Sequence, residues 1–302
     1  MKVIITGGTG LIGAALAKSL AADRHDVIVL SRSPQKATNL PGSVQVVAWD
    51  GRSAKGWGRL ADGADAMINL AGESIAEGRW TAERKRRIEQ SRLDAGQAVV
   101  EAIQAATQKP AVLVQSSAVG YYGPRDNREI PEDTPPGNDF LARVCVAWEA
   151  STAAVEALGV RRVIIRTGIV LSPAGGALPR LLLPFKLGVG GPIGRGEQPF
   201  PWIHLDDEVA AIRFLLEHFH ASGPFNLTAP QSLTNAQFGQ VLAKVLRRPA
   251  LLPTPAFALK LAFGEMASAL LEGQQAVPRR LQELGFQFKY PQAAGALEDL
   301  VK

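Results

Sequence analysis

The stretch Thr6-Gly7-Gly8-Thr9-Gly10-Leu11-Ile12-Gly13 decides how this chain folds. It follows a short apolar segment, residues 3–6, that is typical of a buried strand, and it leads into a predicted helix. Gly7 supports a tight turn, Gly10 lets backbone approach a pyrophosphate, and Gly13 lets the helix pack closely on the strand. N–H groups at the start of such a helix attract phosphates. The cofactor-binding residues predicted here are Thr6, Gly7, Gly10, Leu11, Ile12 and Gly13.

Apolar strands alternate with helical segments through the rest of the first half of the chain. Strands are predicted at residues 26–30, 44–48, 66–70, 111–115 and 162–167, and helices at 11–20, 82–106 and 141–158. Strands this apolar on both faces are expected in a parallel sheet that helices cover on both sides. Strict alternation also requires right-handed crossovers. The predicted fold class is therefore α/β, a Rossmann doubly wound parallel sheet with a smaller C-terminal substrate domain.

The second half of the chain has a different character. Residues 174–196 are rich in glycine and proline, and a helix with Asp206 or Asp207 as its N-cap is then predicted over 206–219. A strand is predicted at 224–227, and helices at 234–246, 256–271 and 278–284. We predict a dinucleotide-binding domain over residues 1–172, to which 203–230 return, and a smaller, discontinuous domain within 173–302.

The end of the second strand determines which dinucleotide is preferred. An NAD site carries an acidic residue there, whereas this chain has Ser31-Arg32-Ser33, and Asp26 lies at the opposite end of the strand. A guanidinium can pair with a 2′-phosphate. We therefore predict that Ser31 and Arg32 bind the cofactor and that NADP(H) is favoured over NAD(H). The alternative is an arginine that merely occupies a surface loop.

Composition narrows the classes of partner. The formal net charge is +5, and Arg84-Lys85-Arg86-Arg87 is interpreted as a solvated helix face, so nucleic acid is not expected. No long apolar run predicts membrane insertion, and we expect no membrane partner. The single cysteine, Cys145, fits a reducing compartment, and a cytoplasmic location is expected. No cluster has metal-ligand spacing, so no metal is expected. A small-molecule substrate is predicted, and a homo-oligomer is compatible with the sequence.

Further motifs resemble those of extended short-chain dehydrogenases/reductases. They are Asn69-Leu70-Ala71-Gly72 after the fourth strand, Ser116-Ser117-Ala118 after the fifth, and Trp202-Ile203-His204-Leu205-Asp206-Asp207. Stretches similar to one branch, the epimerase family proteins, are Ser116-Ser117-Ala118-Val119-Gly120-Tyr121-Tyr122-Gly123, Arg166-Thr167-Gly168-Ile169-Val170-Leu171, Phe225-Asn226-Leu227 and Gly273-Gln274-Gln275-Ala276-Val277-Pro278. The resemblance covers essentially the whole chain. It implies a Rossmann fold with a small C-terminal domain, and it adds Asn69, Leu70, Ala71 and Gly72 to the cofactor site.

The chain departs from that resemblance at the residues that carry the chemistry. Extended reductases and epimerases keep a Tyr-x-x-x-Lys, followed four residues later by a Glu. Alignment on Glu149 puts Leu141 in place of the tyrosine and Cys145 in place of the lysine, and no lysine occurs between Pro110 and Phe185. Nucleotide-sugar epimerases also place an arginine four residues before the His204 position. This chain has Phe200 there.

The remaining candidates for catalysis lie on the loop after the fifth strand. We predict Ser116 or Ser117 as a donor to a carbonyl and Tyr121 or Tyr122 as a proton donor. The alternative is that the paired tyrosines pack the seam between the domains. Cys145 is interpreted as a small buried hydrophobic residue rather than a nucleophile, and His204 as a structural residue.

Two functions are consistent with these observations. The first is an NADP(H)-binding oxidoreductase or epimerase-like enzyme that acts on a small carbonyl or sugar-like substrate. The second is a dinucleotide-binding sensor or partner-binding protein with little or no catalysis. The fold does not separate them, because function depends on the site.

Overall fold

The computed structural model describes residues 1–301, which form twelve strands and ten α-helices. The strands are β1 (Lys2–Thr6), β2 (Asp26–Ser31), β3 (Gln45–Ala48), β4 (Ala66–Asn69), β5 (Val112–Ala118), β6 (Glu129–Ile130), β7 (Arg161–Thr167), β8 (Ile169–Ser172), β9 (Gly175–Gly176), β10 (Trp202–His204), β11 (Gly223–Leu227) and β12 (Gln275–Ala276). The helices are α1 (Leu11–Ala22), α2 (Ala82–Ala105), α3 (Phe140–Ala150), α4 (Leu178–Lys186), α5 (Leu205–Glu217), α6 (Asn235–Leu246), α7 (Ala256–Phe263), α8 (Ser268–Leu271), α9 (Arg279–Glu283) and α10 (Ala293–Leu300).

Seven strands form one sheet in the order β11-β7-β5-β4-β1-β2-β3. All six neighbouring pairs are parallel, which confirms the predicted doubly wound α/β fold. Side chains alternate between its faces, as the pleat requires. Val3 and Ile5 pack with α1 and α5 on one face, whereas Ile4 packs with α2 on the other. Because both faces are covered, the central residues of β1, β2 and β7 are apolar on both sides of the sheet.

The smaller part of the molecule is built around a second apolar cluster. It contains β8, β9 and β10 as a three-stranded sheet, with α4, α6 and α10 packed beside it. A separate two-residue pairing joins β6 to β12. Leu281 and Phe286 from the C-terminal part pack into the cluster between the main sheet and α5. The two parts therefore share apolar contacts.

Two predicted helices end earlier than the sequence indicated. The helix predicted over 141–158 stops at Ala150, where the Ser151 hydroxyl donates to the Trp148 carbonyl at 2.7 Å. Such a bond competes with helix continuation, and residues 153–158 form a separate 3₁₀ turn. The helix predicted over 256–271 is interrupted at Gly264, whose φ of +60° lies in the left-handed region.

Two further expectations were wrong. The N-cap of α5 is His204, whose Nδ1 accepts from the Asp206 N–H at 3.0 Å, and not Asp206 or Asp207. The run from residue 84 to residue 87 is not a uniformly solvated face, because Arg84 is buried and ion-paired with Glu73. In the part of the chain described here, no helix is both long and apolar enough to cross a bilayer.

Candidate cofactor and active site

The loop between β1 and α1 needs glycine at two positions for steric reasons. Gly7 has a φ of +67°, and a Cβ there would lie 2.7 Å from the Leu70 carbonyl. A Cβ on Gly13 would lie 2.4 Å from the Gly7 carbonyl oxygen. No side chain fits at either position. At Gly7 the reason is that the β1–α1 loop lies close to the loop after β4.

Gly10 differs from these two glycines because the space beside it is open. A Cβ there would meet only the Gly7 carbonyl oxygen, at 3.2 Å. Gly10 is the N-cap of α1, is exposed, and no side chain caps the helix. The first N–H groups of α1 are therefore open to an anion, as a pyrophosphate site requires.

A chain of buried hydrogen bonds joins the ends of β1 and β4 to the middle of β5. Thr6 Oγ1 donates to Asn69 Oδ1 at 2.6 Å, and Asn69 Nδ2 donates to Gln115 Oε1 at 2.9 Å. Thr6 and Asn69 are fully buried. The prediction that they bind cofactor is therefore corrected for their side chains, because these already satisfy each other and act by holding the loops in place.

Arg32 lies just beyond β2 and is exposed, with its Cδ 3.3 Å from the position of a Cβ on Gly51. Within residues 1–301 its guanidinium makes no hydrogen bond or ion pair. Ser31 is buried and accepts from the Ser33 N–H at 3.1 Å, which shapes the turn. The Asp50 carboxylate in the following turn accepts from the Arg52 and Ser53 N–H groups, which lower its pKa. The end of β2 therefore carries Arg32 and lacks the acidic side chain that an NAD site would have there.

Leu141 and Cys145, which the alignment on Glu149 puts in place of the tyrosine and lysine, lie against the loop after β5. The position of a Cβ on Gly120 is 3.4 Å from Leu141 Cβ and 4.0 Å from Cys145 Sγ. Cys145 is buried, and burial raises the pKa of its thiol to about 11. Leu141 has no ionisable group, and the Cys145 thiol stays protonated near neutral pH, so neither side chain provides a base there.

The structure separates the four candidates for catalysis. Ser117 Oγ donates to Glu149 Oε1 at 2.7 Å, and the Tyr122 hydroxyl donates to Asn226 Oδ1 at 2.7 Å. Tyr122 is fully buried, and burial raises its pKa to about 12. Both hydroxyls are therefore engaged in a buried hydrogen-bond network, and the catalytic roles of Ser117 and Tyr122 stay predictions.

Ser116 and Tyr121 are the two candidates that keep an uncommitted hydroxyl. Neither side-chain oxygen has a hydrogen-bond partner within residues 1–301. Because side chains alternate along β5, Ser116 lies on the sheet face that bears α1 and α5, opposite Ser117. Tyr121 is half-buried, and the Arg166 Cζ stands 3.5 Å from its ring centroid.

A buried ion pair holds this network together. Arg166 donates from Nε and Nη2 to the two oxygens of Glu149, at 2.9 and 3.0 Å. Its Nη1 donates to the Tyr122 hydroxyl at 3.0 Å and to the Glu132 carbonyl at 2.9 Å. The guanidinium is thus fixed against both tyrosines. The sequence analysis did not assign Arg166, although a charged residue at the end of an apolar strand is the signal that could have found it.

Arg92 on α2 is a second functional candidate, for which the sequence indicated only a position that could face the cleft. Its Cζ is 3.1 Å from the position of a Cβ on Gly72, the last residue of the Asn69–Gly72 motif, and 4.7 Å from the Trp148 ring centroid. It donates to the Glu73 carbonyl at 3.1 Å and to the Ile88 carbonyl at 2.7 Å. Burial lowers its pKa. Arg92 brings a positive charge to the side of α3 where extended reductases and epimerases have the lysine of the Tyr-x-x-x-Lys motif. This chain has no lysine there.

The hairpin of β8 and β9 lies over the start of α1. Positions of a Cβ on Gly175 and Gly176 are 3.8 and 3.2 Å from the Leu11 side chain. Leu11 therefore contacts the smaller part of the molecule directly. The expected phosphate site lies between this hairpin and the loops after β1 and β4.

The site thus defines a dinucleotide-binding protein of the Rossmann class. The family model for the NAD dependent epimerase/dehydratase family matches residues 3–228, and the chain belongs to this family. A second model, for a domain of unknown function (DUF1731), matches residues 254–300.

Similar proteins come from animals and plants. The chain is 40% identical over 309 residues to the epimerase family protein SDR39U1 of Mus musculus, and the alignment covers 100% of both chains. It is 41% identical to the chloroplastic SDR39U1 homolog of Arabidopsis thaliana, covering 100% of this chain and 87% of the relative. The crystal structure of human SDR39U1 (isoform 2) with NADPH superposes with a TM-score of 0.89 at 38% identity, covering 99% of each chain.

Proposed function

We propose that this protein is an NADP(H)-dependent oxidoreductase of the extended short-chain type that reduces a small carbonyl or sugar-like substrate in the cytoplasm. The observation that carries the cofactor preference is the exposed Arg32 at the end of β2, where an NAD site would have a carboxylate. The bare N-terminus of α1 beside Gly10 supports pyrophosphate binding. The similar human protein has been crystallised with NADPH, which is consistent with this preference.

The side chains at the candidate site favour reduction of a carbonyl over oxidation of an alcohol. When bound, NADPH supplies a hydride to the carbonyl carbon, and the carbonyl oxygen then requires a proton. Tyr121 provides a hydroxyl that has no hydrogen-bond partner among residues 1–301, and we assign it as the proton donor. A phenol without a neighbouring lysine is a better acid than base near neutral pH. Ser116 remains the candidate donor to the carbonyl.

Arg92 takes over part of the role of the absent lysine in this proposal. Its guanidinium is fixed by two carbonyls and the Trp148 ring, and it lies beneath the loop that includes Gly72. A fixed cation there stabilises negative charge on a bound ribose phosphate without a proton transfer. We therefore assign Arg92 as a cofactor-positioning residue.

The second candidate function, a dinucleotide sensor without catalysis, rests on one specific observation. Alignment on Glu149 puts Leu141 and Cys145 in place of the tyrosine and lysine, and burial of the Cys145 thiol raises its pKa. A protein that retained the cofactor loop but lost proton transfer would bind NADPH and turn nothing over.

NADPH consumption with a panel of aldehydes and ketones distinguishes the two functions. We expect turnover, and we expect Tyr121→Phe to lower kcat by about 10²–10⁴, the usual contribution of a positioned acid. The matched variant Tyr122→Phe should keep kcat within a few-fold. Arg92→Met should weaken NADPH binding. Cys145→Ala should change neither kcat nor the affinity for NADPH. Tight NADPH binding without turnover on any carbonyl would support the sensor, and a lack of NADPH binding would refute both functions.

A further inference from the structure

Large exposed apolar side chains are concentrated in two segments of the chain. Eight of the twelve within residues 1–301 lie at residues 183–189 or 251–263. They are Leu183, Leu187, Val189, Leu251, Leu252, Phe257, Leu261 and Phe263. We call these two segments together the apolar patch. Such a concentration on one part of a surface marks an interaction site rather than scattered exposure.

Backbone hydrogen bonds show that the two segments adjoin. The Leu252 N–H donates to the Gly190 carbonyl at 3.2 Å, and the Thr254 N–H donates to the Pro192 carbonyl at 2.8 Å. The Gly194 N–H returns a bond to the Thr254 carbonyl at 2.9 Å. The end of α4 and the start of α7 are thus neighbours, although some 70 residues separate them in the sequence.

Helix α7 is the clearest part of the patch. Its sequence is Ala-Phe-Ala-Leu-Lys-Leu-Ala-Phe, and none of its residues is buried. Phe257 and Leu261 lie one turn apart and are 74% and 75% exposed. A helix this apolar is ordinarily packed against something. Arg79 donates to the Leu261 and Ala262 carbonyls, which holds the end of the helix in place.

Cations predominate in the two stretches of sequence that contain the patch, although Glu265 follows α7 closely and pairs with Lys85. The sequence contains no acidic residue between Glu156 and Glu197, or between Glu217 and Glu265. The exposed cations in these two stretches are Arg180, Lys186, Arg195, Lys244, Arg247, Arg248 and Lys260. Arg195 pairs with Glu197. The other six form no ion pair with any residue from 1 to 301.

We propose that the apolar patch docks on the surface of an anionic lipid bilayer. Exposed Phe and Leu side chains can enter the headgroup region, while the surrounding cations are attracted to anionic headgroups. A second copy fits less well, because a two-fold contact would place each set of cations against the same set in its partner. Surface docking needs no spanning helix, so it revises the expectation of no membrane partner, which rested on the absence of such a segment.

Vesicle flotation tests the proposal directly. We expect the full-length protein to bind vesicles of equimolar phosphatidylcholine and phosphatidylglycerol, and to bind vesicles of phosphatidylcholine alone at least about tenfold more weakly. High salt should release it. The double variants Phe257→Ser/Leu261→Ser and Lys186→Gln/Lys260→Gln should each lower binding about tenfold or more.

Matched controls separate docking from general effects of the substitutions. Phe219 is 82% exposed and lies outside the patch, so Phe219→Ser should bind like the unaltered protein. Lys18→Gln/Lys55→Gln removes two exposed cations elsewhere and should also have no effect. Thermal unfolding of every variant verifies that it is folded.

Three results would overturn the proposal. They are no binding to either vesicle, equal binding to both, and a dimer in lipid-free buffer that Phe257→Ser/Leu261→Ser dissociates. The last of these, measured by light scattering, would assign the patch to a second copy of the chain.

Discussion

At the scale of single residues, the candidate site is defined by the glycines of the β1–α1 loop and by the exposed charge of Arg32. Gly7 and Gly13 leave no room for a Cβ, whereas Gly10 leaves space for a ligand. Arg32 is exposed and unpaired within the described chain, so it is available to a phosphate. A cation that forms no internal contact is free to contribute binding energy to a ligand.

Arg32→Ala tests the cofactor preference. We expect it to weaken NADPH binding by about 1.5–3 kcal/mol, the contribution of charge-assisted hydrogen bonds, and to change NADH binding little. Calorimetric titration with both cofactors measures the difference. Arg59→Ala, which removes an exposed arginine elsewhere, is the control. An equal loss for NADPH and NADH would show that Arg32 supports the loop and not the 2′-phosphate.

Glu208 makes stability depend on pH. It is completely buried on α5, accepts from Thr167 Oγ1 at 2.8 Å, and burial raises its pKa to about 8. An unfolded glutamate titrates near 4.3. Between these two values the folded state holds a proton that the unfolded state has released. The stabilisation is therefore complete below the unfolded pKa and is lost as the pH rises through about 8.

Urea unfolding from about pH 5 to about pH 8 should show the free energy of unfolding of the unaltered protein falling relative to that of Glu208→Gln. The relative slope is at most about 1.4 kcal/mol per pH unit, because one proton is involved. Glutamine keeps the shape of the side chain and cannot titrate. Parallel curves for the two proteins would exclude Glu208 as the titrating group.

Sequence reasoning succeeded where the meaning of a residue is local. The glycine spacing and the absence of an acid after β2 are visible within a few residues of the sequence. It did not predict the hydrogen bonds of Ser117 and Tyr122, because their partners Glu149 and Asn226 lie far away along the chain. The sequence around a hydroxyl does not reveal a hydrogen-bond partner that lies far away along the chain.

At the scale of secondary-structure elements, one ion pair ties α3 to the main sheet. Glu149 on α3 holds Arg166 on β7, and the same carboxylate accepts from Ser117 on β5. Both charged side chains are almost completely removed from water. Removal of one partner leaves an uncompensated buried charge, which is strongly destabilising.

Glu149→Ala should therefore cost about 3–5 kcal/mol in the free energy of unfolding, measured by urea denaturation. Glu156 provides a matched control, since it pairs with Arg162 at 2.9 Å but is half-exposed. Glu156→Ala should cost less than about 1 kcal/mol. Similar costs for the two variants would mean that the buried pair contributes no more than a surface pair.

The order and direction of the elements were predictable, and several of their ends were not. Alternation of apolar strands and helices predicted the parallel sheet because burial on both faces leaves a clear pattern. The end of α3 depends on a side-chain bond from Ser151, and the N-cap of α5 depends on His204. Both are decided by single hydrogen bonds, which the periodicity of apolar residues does not contain.

At the scale of the whole molecule, the C-terminal part is packed into the main core. Leu281 and Phe286 share an apolar cluster with Ile212 of α5 and Val163 of β7. Asp207 accepts from the Lys289 and Tyr290 N–H groups, at 2.7 and 2.9 Å. The contacts that join the two parts are therefore both apolar and hydrogen-bonded.

We expect thermal unfolding to be a single cooperative transition, because neither part keeps its contacts when the other unfolds. Near-UV circular dichroism and calorimetry should give coincident midpoints, and saturating NADPH should raise both together. Two resolved transitions, only one of which responds to NADPH, would show instead that the parts unfold independently.

The two-residue pairing of β6 with β12 has a consequence for how the protein is made. Asn226 donates to the carbonyls of Ile130, at the end of β6, and Val277, just after β12, while it accepts from the Tyr122 hydroxyl. Translation supplies residue 277 long after residues 1–130 have emerged. Contacts so distant in sequence form slowly. A nascent chain can thus complete its phosphate loop early, yet it positions its tyrosines only after residue 277 has been added.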